Sequence, residues 1–252
     1  TNGDFNCNIV YYPAPDQPIS CWRTYAAHGA QSLREALQNS CNPAFMQLGA
    51  RIGARTSYKY YEAFELFSTR IGNTIASVSK PQFTELNKVG AVELATMSFG
   101  QSIQITPLQL LRAVSAGING GKLVTPHLAM EKKDSITKEI TQYEYHIKPG
   151  AVSEETSQTL RELLEAVVAE GTGKNGQVDG YRVGGKTATS EKLPRRSGKY
   201  ISSFLGFAPA DSPKILGLVL IDEPQGVYYG GVIAAPVMAE IFQNVLPYLD
   251  NL

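Results

Sequence analysis

Hydrophobic residues recur every three or four positions in several stretches of the chain, a spacing typical of helices with one buried face. Capping boxes at Ser32/Glu35 and Thr106/Gln109 indicate two helix starts, and Ser153 before two glutamates indicates a third. The predicted helices cover residues 32–38, 43–53, 56–70, 106–118, 153–170 and 235–246.

Shorter apolar segments in the second half of the chain predict strands at residues 181–190, 200–208 and 214–222. Because short connections join them, we expect one antiparallel sheet. Residues 1–30, in contrast, contain Pro13, Pro15 and Pro18, which exclude a long helix, so this segment is predicted to be irregular. Residues 129–150 are charged and are predicted to form an exposed segment on the protein surface.

Composition narrows the class of protein. The 252 residues are 43% hydrophobic, and 23 basic side chains balance 23 acidic ones. This balance argues against nucleic acid or an anionic membrane surface as the main partner. The longest strongly apolar run, residues 215–221, is too short to cross a bilayer. Since the chain starts with Thr1 rather than Met, we expect a piece of a longer precursor, whose membrane anchor would lie in the remainder.

Three cysteines, Cys7, Cys21 and Cys41, all lie near the N-terminus. They form no C-x-x-C pair, and no histidine stands at a spacing typical of zinc fingers, so the sequence predicts no metal site. One disulfide with one free thiol, or three free thiols, both fit the odd number. His28, next to Gly29, is interpreted as structural.

Residues 184–190 read GGKTATS and form the first candidate functional segment. On a strand, Lys186 and Ala188 point to one face and Thr187 and Thr189 to the other. A strand with one cation, several hydroxyls and unobstructed amides suits a small carboxylate or a peptide added along its edge. The alternative is a glycine-rich turn that leads into a half-buried strand.

Ser40 and Asn42 form the second candidate segment, at a joint between two predicted helices. Pro43 suits the first turn of a helix, with Asn42 as its N-cap. Asn42 is then either a cap alone or a group that projects with Ser40 into a cleft. The spacing is compatible with both interpretations.

Taken together, these segments resemble the transpeptidase domain of penicillin-binding proteins, whose signature is S-x-x-K, then S-x-N, then K-T-G. Ser40-x-Asn42 and the Lys186-Thr187 strand match the second and third motifs. The likeness extends over nearly the whole chain and is greatest to class B enzymes of Gram-positive division and sporulation. It implies an α+β fold with three layers, helix, antiparallel sheet and helix, shared with serine β-lactamases. Further matching segments are residues 21–45, 100–101, 106–109, 119–121, 171–173, 202–210, 229–231 and 234–236.

The chain departs from the family pattern in two places. No S-x-x-K precedes Ser40, and the later matches at residues 77–80 and 135–138 are interpreted as chance. Residues 1–252 are therefore predicted to be the C-terminal part of one domain that lacks the upstream strands and the nucleophile helix. Such a fragment should be inactive and should self-associate through a bare strand edge. The second departure is Ala188, where the family usually has glycine.

The resemblance implies a peptidoglycan D,D-transpeptidase that cross-links stem peptides through an acyl-serine intermediate, without a cofactor. Ser40 would relay a proton, and Asn42 would orient the lysine of the absent S-x-x-K motif. Lys186 would set the electrostatic field of the cleft. Thr187 and Thr189, on either side of Ala188, would bind the substrate carboxylate. The implied partners are D-Ala-D-Ala peptides and β-lactams, and the implied location is the extracytoplasmic face of the bacterial membrane.

Two other functions remain open on the sequence alone. One is a D,D-carboxypeptidase or serine β-lactamase of the same fold. The other is a non-catalytic member of the family that acts as a scaffold or a β-lactam sensor. A separate hypothesis concerns Cys21 and Cys41, because their oxidation to a disulfide would tie the N-terminal segment to the Ser40 corner and make the site redox-sensitive.

Overall fold

The computed structural model describes residues 4–69, 79–194 and 197–250. Ser77 and Val78, in the first chance motif, lie outside the described residues. The helices are α1 (Leu33–Gln38), α2 (Asn42–Ile52), α3 (Ala54–Ala63), α4 (Ala91–Ser98), α5 (Pro107–Ile118), α6 (Glu154–Glu170), α7 (Gly230–Ile233) and α8 (Ala235–Leu249). The strands are β1 (Phe5–Cys7), β2 (Val10–Ala14), β3 (Gln17–Ser20), β4 (Gly29–Gln31), β5 (Glu131–Lys133), β6 (Ile140–Gln142), β7 (Gly184–Glu191), β8 (Tyr200–Ala208) and β9 (Ile215–Asp222).

Strands β7, β8 and β9 form an antiparallel sheet with β8 in the centre. The register pairs Lys186 with Leu205 and Thr189 with Ser202 between β7 and β8, and Ala208 with Ile215 between β8 and β9. All three strands of this sheet were predicted from the sequence, and β8 has the predicted bounds. Among the described residues, β7 and β9 each keep one outer edge without a strand partner.

The side chains of β8 alternate between two hydrophobic layers. Phe204 packs with Met238 and Phe242 of α8, whereas Phe207 packs with Ile118 of α5 and Leu164 of α6. Because both phenylalanines are fully buried, each face of the sheet is covered by helices. The predicted three-layer α+β fold is therefore confirmed.

The predicted capping signals are present at three helix N-termini. Ser32 and Thr106 each form a complete capping box, and the Ser153 side chain accepts a hydrogen bond from the Thr156 N–H. These local hydrogen bonds satisfy backbone donors that would otherwise lack partners at the first turn. They explain why the starts of α1, α5 and α6 could be read from the sequence.

The N-terminal segment is more regular than predicted. It contains two antiparallel pairs, β1 with β4 and β2 with β3, so the prediction of an irregular segment is wrong. Pro13 lies within β2 and Pro18 within β3. Proline excludes a helix interior but is tolerated in edge strands, and both of these strands are edges of a two-stranded sheet.

Residues Gly230–Leu249 are long and apolar enough to cross a membrane by length and composition. In the fold, this segment is α7 followed by α8, and Met238, Phe242 and Leu246 of α8 are buried in the core. It therefore acts as the core helix that covers one face of the sheet.

Candidate active site

Ser40 lies at the sharp joint between α1 and α2. Its φ of 51° places it in the left-handed region, where residues other than glycine are uncommon. Backbone hydrogen bonds hold this conformation, since the Ser40 N–H donates to Leu37 O and the Cys41 N–H donates to Ala36 O. A strained, well-held backbone of this kind is typical of functional sites.

Asn42 is the first residue of α2, and Cys41 is the N-cap, without a side-chain capping bond. The prediction that Asn42 is the cap is therefore wrong by one position, because Cys41 is the last residue with extended dihedrals. The half-buried side chain of Asn42 has no hydrogen-bond partner within residues 4–69, 79–194 and 197–250. The side-chain amide of Asn42 can therefore form hydrogen bonds with a group that does not belong to the described residues.

Lys186 of β7 reaches across to the α1–α2 joint. Its Nζ donates to Ser40 Oγ at 2.8 Å and to the Thr187 carbonyl at 3.0 Å. The two side chains are 146 residues apart in sequence, so only the tertiary fold brings them together. The second and third candidate motifs are thus in direct contact.

Burial of the ammonium group lowers the pKa of Lys186 from 10.5 to about 8. Desolvation penalises the charged form, and the partners of Nζ are neutral oxygens rather than a carboxylate. A substantial fraction of Lys186 is therefore neutral in mildly alkaline solution.

We expect this shift to appear in the pH dependence of stability. Between pH 8 and 10.5 the unfolded chain keeps the Lys186 proton while the folded chain has lost it, so stability should rise with pH. Below pH 8 both states are protonated and Lys186 adds no slope. Urea denaturation of the wild type and Lys186→Met across this range measures the difference. Equal slopes for the two proteins would contradict the prediction.

Thr187 and Thr189 point to the opposite face of β7 from Lys186, as the strand alternation predicted. Thr187 Oγ1 lies 3.2 Å from Thr172 Oγ1, and Thr189 Oγ1 accepts a hydrogen bond of 3.1 Å from the Gly230 N–H. Thr187 Oγ1 is also 3.4 Å from Lys186 Nζ, so this hydroxyl lies close to the cation.

Gly230 allows α7 to lie directly on the sheet beside these hydroxyls. A Cβ atom there would be 2.3 Å from Ala188 O and 2.4 Å from Ser203 O. Both are backbone atoms of paired strands, so they cannot give way to a side chain. The exposed side chain of Ala188 lies at the open edge of β7, where the family usually has glycine.

Thr172 was not identified as a site residue from the sequence. Its N–H donates to Gln38 O at 2.9 Å, and its hydroxyl contacts Thr187, so it connects the end of α1 to β7. A Cβ atom at Gly171 would be 2.7 Å from Gln38 O, which explains the glycine beside it. The short Gly171–Gly173 segment, already singled out by the resemblance, was the signal that could have identified Thr172.

Cys21 and Cys41 meet directly beside this corner, and both are buried free thiols. A hydrogen bond from Cys41 lowers the pKa of the Cys21 thiol to about 5, and the same contact raises the pKa of Cys41. Cys7 and His28 lie in the same cluster, and His28 Nδ1 is 3.7 Å from Cys21 Sγ. Sequence spacing gave no sign that all four side chains would gather.

Comparison with known proteins identifies the family of the chain. Residues 2–243 match the family described as the penicillin binding protein transpeptidase domain. The chain is 44% identical over 238 residues to stage V sporulation protein D of Bacillus subtilis, covering 92% of this chain and 36% of that protein. It is 32% identical over 222 residues to the probable peptidoglycan D,D-transpeptidase PenA of Neisseria flavescens, covering 86% and 52%.

A solved structure, penicillin-binding protein A from M. tuberculosis in its ceftriaxone acyl-enzyme complex, has a TM-score of 0.86 and 25% identity to the chain. The match covers 96% of this chain and 55% of that one. The chain thus spans 36% and 52% of the two curated relatives described above.

Proposed function

Because the chain belongs to the penicillin-binding protein transpeptidase family, we propose that the full-length protein is a serine-type peptidoglycan D,D-transpeptidase. It would cross-link stem peptides that end in D-Ala-D-Ala through an acyl-serine intermediate. The observation that carries this proposal is the 2.8 Å contact between Lys186 Nζ and Ser40 Oγ. The names of the relatives, a sporulation protein and a D,D-transpeptidase, support a role in wall synthesis.

The attacking serine and its lysine belong, in this proposal, to an S-x-x-K motif in the part of the full-length protein that precedes Thr1. Residues 1–252 then form the C-terminal part of one transpeptidase domain. The Ser135 match offers no alternative nucleophile, because Ser135 lies in the exposed turn between β5 and β6 rather than at a helix start. This part of the domain would supply the proton relay and the substrate-binding strand.

Within the reaction, Ser40 would carry a proton between the S-x-x-K lysine and the leaving amine. Its hydroxyl accepts a hydrogen bond from Lys186, which leaves the Ser40 proton free to be donated elsewhere. Asn42 would orient the S-x-x-K lysine, since its amide stands next to Ser40 without a hydrogen-bond partner among the described residues.

The edge of β7 would hold the substrate. Thr187 and Thr189 would bind the terminal carboxylate through their hydroxyls, and the Thr187 hydroxyl lies 3.4 Å from Lys186 Nζ. Ala188, which lies between the two threonines, would line the site where the acyl group binds. The Thr189 N–H would contribute one oxyanion-hole donor, a contribution of about 3 kcal/mol to transition-state binding.

The test is acylation of the full-length protein by a fluorescent penicillin, followed by turnover of a D-Ala-D-Ala pentapeptide with and without an amine acceptor. A labelled serine and an acceptor-dependent cross-linked product are expected. Release of D-alanine without cross-linking would indicate a carboxypeptidase, and hydrolysis of the penicillin a β-lactamase. Absence of labelling in a folded full-length protein would overturn the proposal and favour a non-catalytic scaffold. Labelling without turnover of the peptide would indicate a β-lactam sensor.

We further propose that the domain works on the extracytoplasmic face of the membrane, held there by an anchor in the remainder of the protein. Protease accessibility in intact protoplasts tests this location.

The isolated 252-residue chain would self-associate through the outer edge of β7 or β9. Sedimentation velocity that shows only monomer across a concentration series would contradict this association.

A further inference from the structure

Four side chains that could bind a metal converge beside the Ser40 corner. They are Cys7 at the end of β1, Cys21 after β3, His28 before β4 and Cys41 at the N-cap of α2. Their potential ligand atoms all lie within 4.8 Å of one another. The three cysteines are at most 1% exposed, and His28 is half-buried at the side of the cluster that faces solvent.

This geometry is close to that of a tetrahedral zinc centre. Zn–S bonds of about 2.3 Å put two sulfur ligands of a tetrahedron about 3.8 Å apart. The distance from Cys21 Sγ to His28 Nδ1 is already 3.7 Å, and the remaining pairs are within 4.8 Å. Small rotations of the side chains would therefore complete the coordination.

The chemistry of the donors also favours zinc. Three thiolates and one imidazole form a Cys₃His set, which is typical of structural Zn²⁺ sites. Backbone N–H groups of Arg23 and Asn42 are directed at the Cys21 sulfur, as outer-shell donors to a bound thiolate. The buried Nε2 of Gln31, which has no partner that meets hydrogen-bond geometry among the described residues, lies near Cys41 and could donate to its thiolate.

The apolar core around the four side chains is small. Among the described residues, the buried cluster that contains the cysteines has three other members, Phe5, Ala36 and Ala44, and half-buried Leu48 packs against it. Two alanines and one phenylalanine bury little apolar surface for two short strand pairs and a helix start. A metal centre would add stabilisation here, because its binding free energy adds directly to that of folding.

We propose that Cys7, Cys21, His28 and Cys41 bind one structural Zn²⁺ ion. The ion would join β1 and the β3–β4 region to the start of α2, and so fix the strained backbone at Ser40. This role goes beyond the transpeptidase function and does not depend on it. It differs from the sequence-based expectation of no metal. It also competes with the Cys21–Cys41 disulfide, which would leave Cys7 and His28 without a function.

The experiment uses the full-length protein, purified under reducing conditions without chelator. Elemental analysis should find one zinc per chain. Replacement by Co²⁺ should give the thiolate-to-cobalt charge-transfer band and the intense ligand-field bands of a tetrahedral site. Cys7→Ser and His28→Ala should each weaken zinc binding by more than the ~10–100-fold expected for loss of an outer-shell partner. His127→Ala, at a histidine outside the cluster, should keep full zinc content.

If a cysteine variant fails to fold, titration of the metal-stripped wild type with Zn²⁺ still decides the question. Its melting temperature should rise with Zn²⁺ and not with Mg²⁺. Ser40→Ala should bind zinc as the wild type does, so a failure of catalysis is distinguished from a failure of the metal site. A disulfide between Cys21 and Cys41 in freshly isolated protein, with no zinc, would overturn the proposal. So would zinc content that is unchanged in both Cys7→Ser and His28→Ala.

Discussion

Ser40→Ala in the full-length protein should slow acylation by a fluorescent penicillin about 10²- to 10⁴-fold, the usual contribution of a positioned proton-transfer group. The Ser40 hydroxyl is the oxygen that accepts from Lys186 Nζ at 2.8 Å. Alanine removes this oxygen and, in the proposed mechanism, breaks the proton path between the S-x-x-K lysine and the leaving group. Stopped-flow or gel-based labelling rates measure the effect directly.

Ser135→Ala is the matched control for this substitution. It makes the same chemical change at Ser135, the first residue of the S-x-x-K match at 135–138, in an exposed turn between β5 and β6. Its labelling rate should equal that of the wild type. Thermal unfolding of both variants separates catalysis from stability, since Ser40 occupies a left-handed backbone position that alanine also disfavours. A normal labelling rate for folded Ser40→Ala would remove Ser40 from the mechanism.

Features of the fold that depend on neighbouring residues could be predicted from the sequence. The start of α1 follows from Ser32 and Glu35 three positions apart, and that of α5 from Thr106 and Gln109. Their hydrogen bonds close within one turn, so no distant contact is needed. The alternation of Lys186 and the neighbouring threonines across β7 is local in the same sense.

Features that depend on distant contacts could not be predicted in this way. The meeting of Ser40 with Lys186 was inferred through the resemblance to a family, because nothing local relates residues 146 positions apart. The clustering of His28 with the three cysteines was missed, since it depends on how two short strand pairs fold onto α2. The role of Thr172 was missed for the same reason: its partners come from α1 and β7.

Phe204→Ala should lower the free energy of unfolding by about 3–5 kcal/mol, the range for removing a large aromatic side chain from a core. Phe204 is fully buried in the centre of β8. Three glycines lie against its ring. A Cβ atom would be 2.6 Å from the ring at Gly176, 2.6 Å at Gly185 and 3.0 Å at Gly206. The ring therefore occupies the space that side chains at these positions would otherwise fill.

We expect the loss to lie toward the upper end of that range, because the glycines around the ring have no side chains that could fill the cavity. Gly185 and Gly206 are paired in the ladder between β7 and β8, so the backbone cannot collapse inward without breaking the sheet. Denaturant titration should give a lower midpoint with an unchanged slope. Leu220→Ala on β9, at a side chain that is 44% exposed, is the control and should lose much less. If Phe204→Ala lost no more stability than Leu220→Ala, the Phe204 ring would not be the packing centre that connects the Lys186 strand to α8.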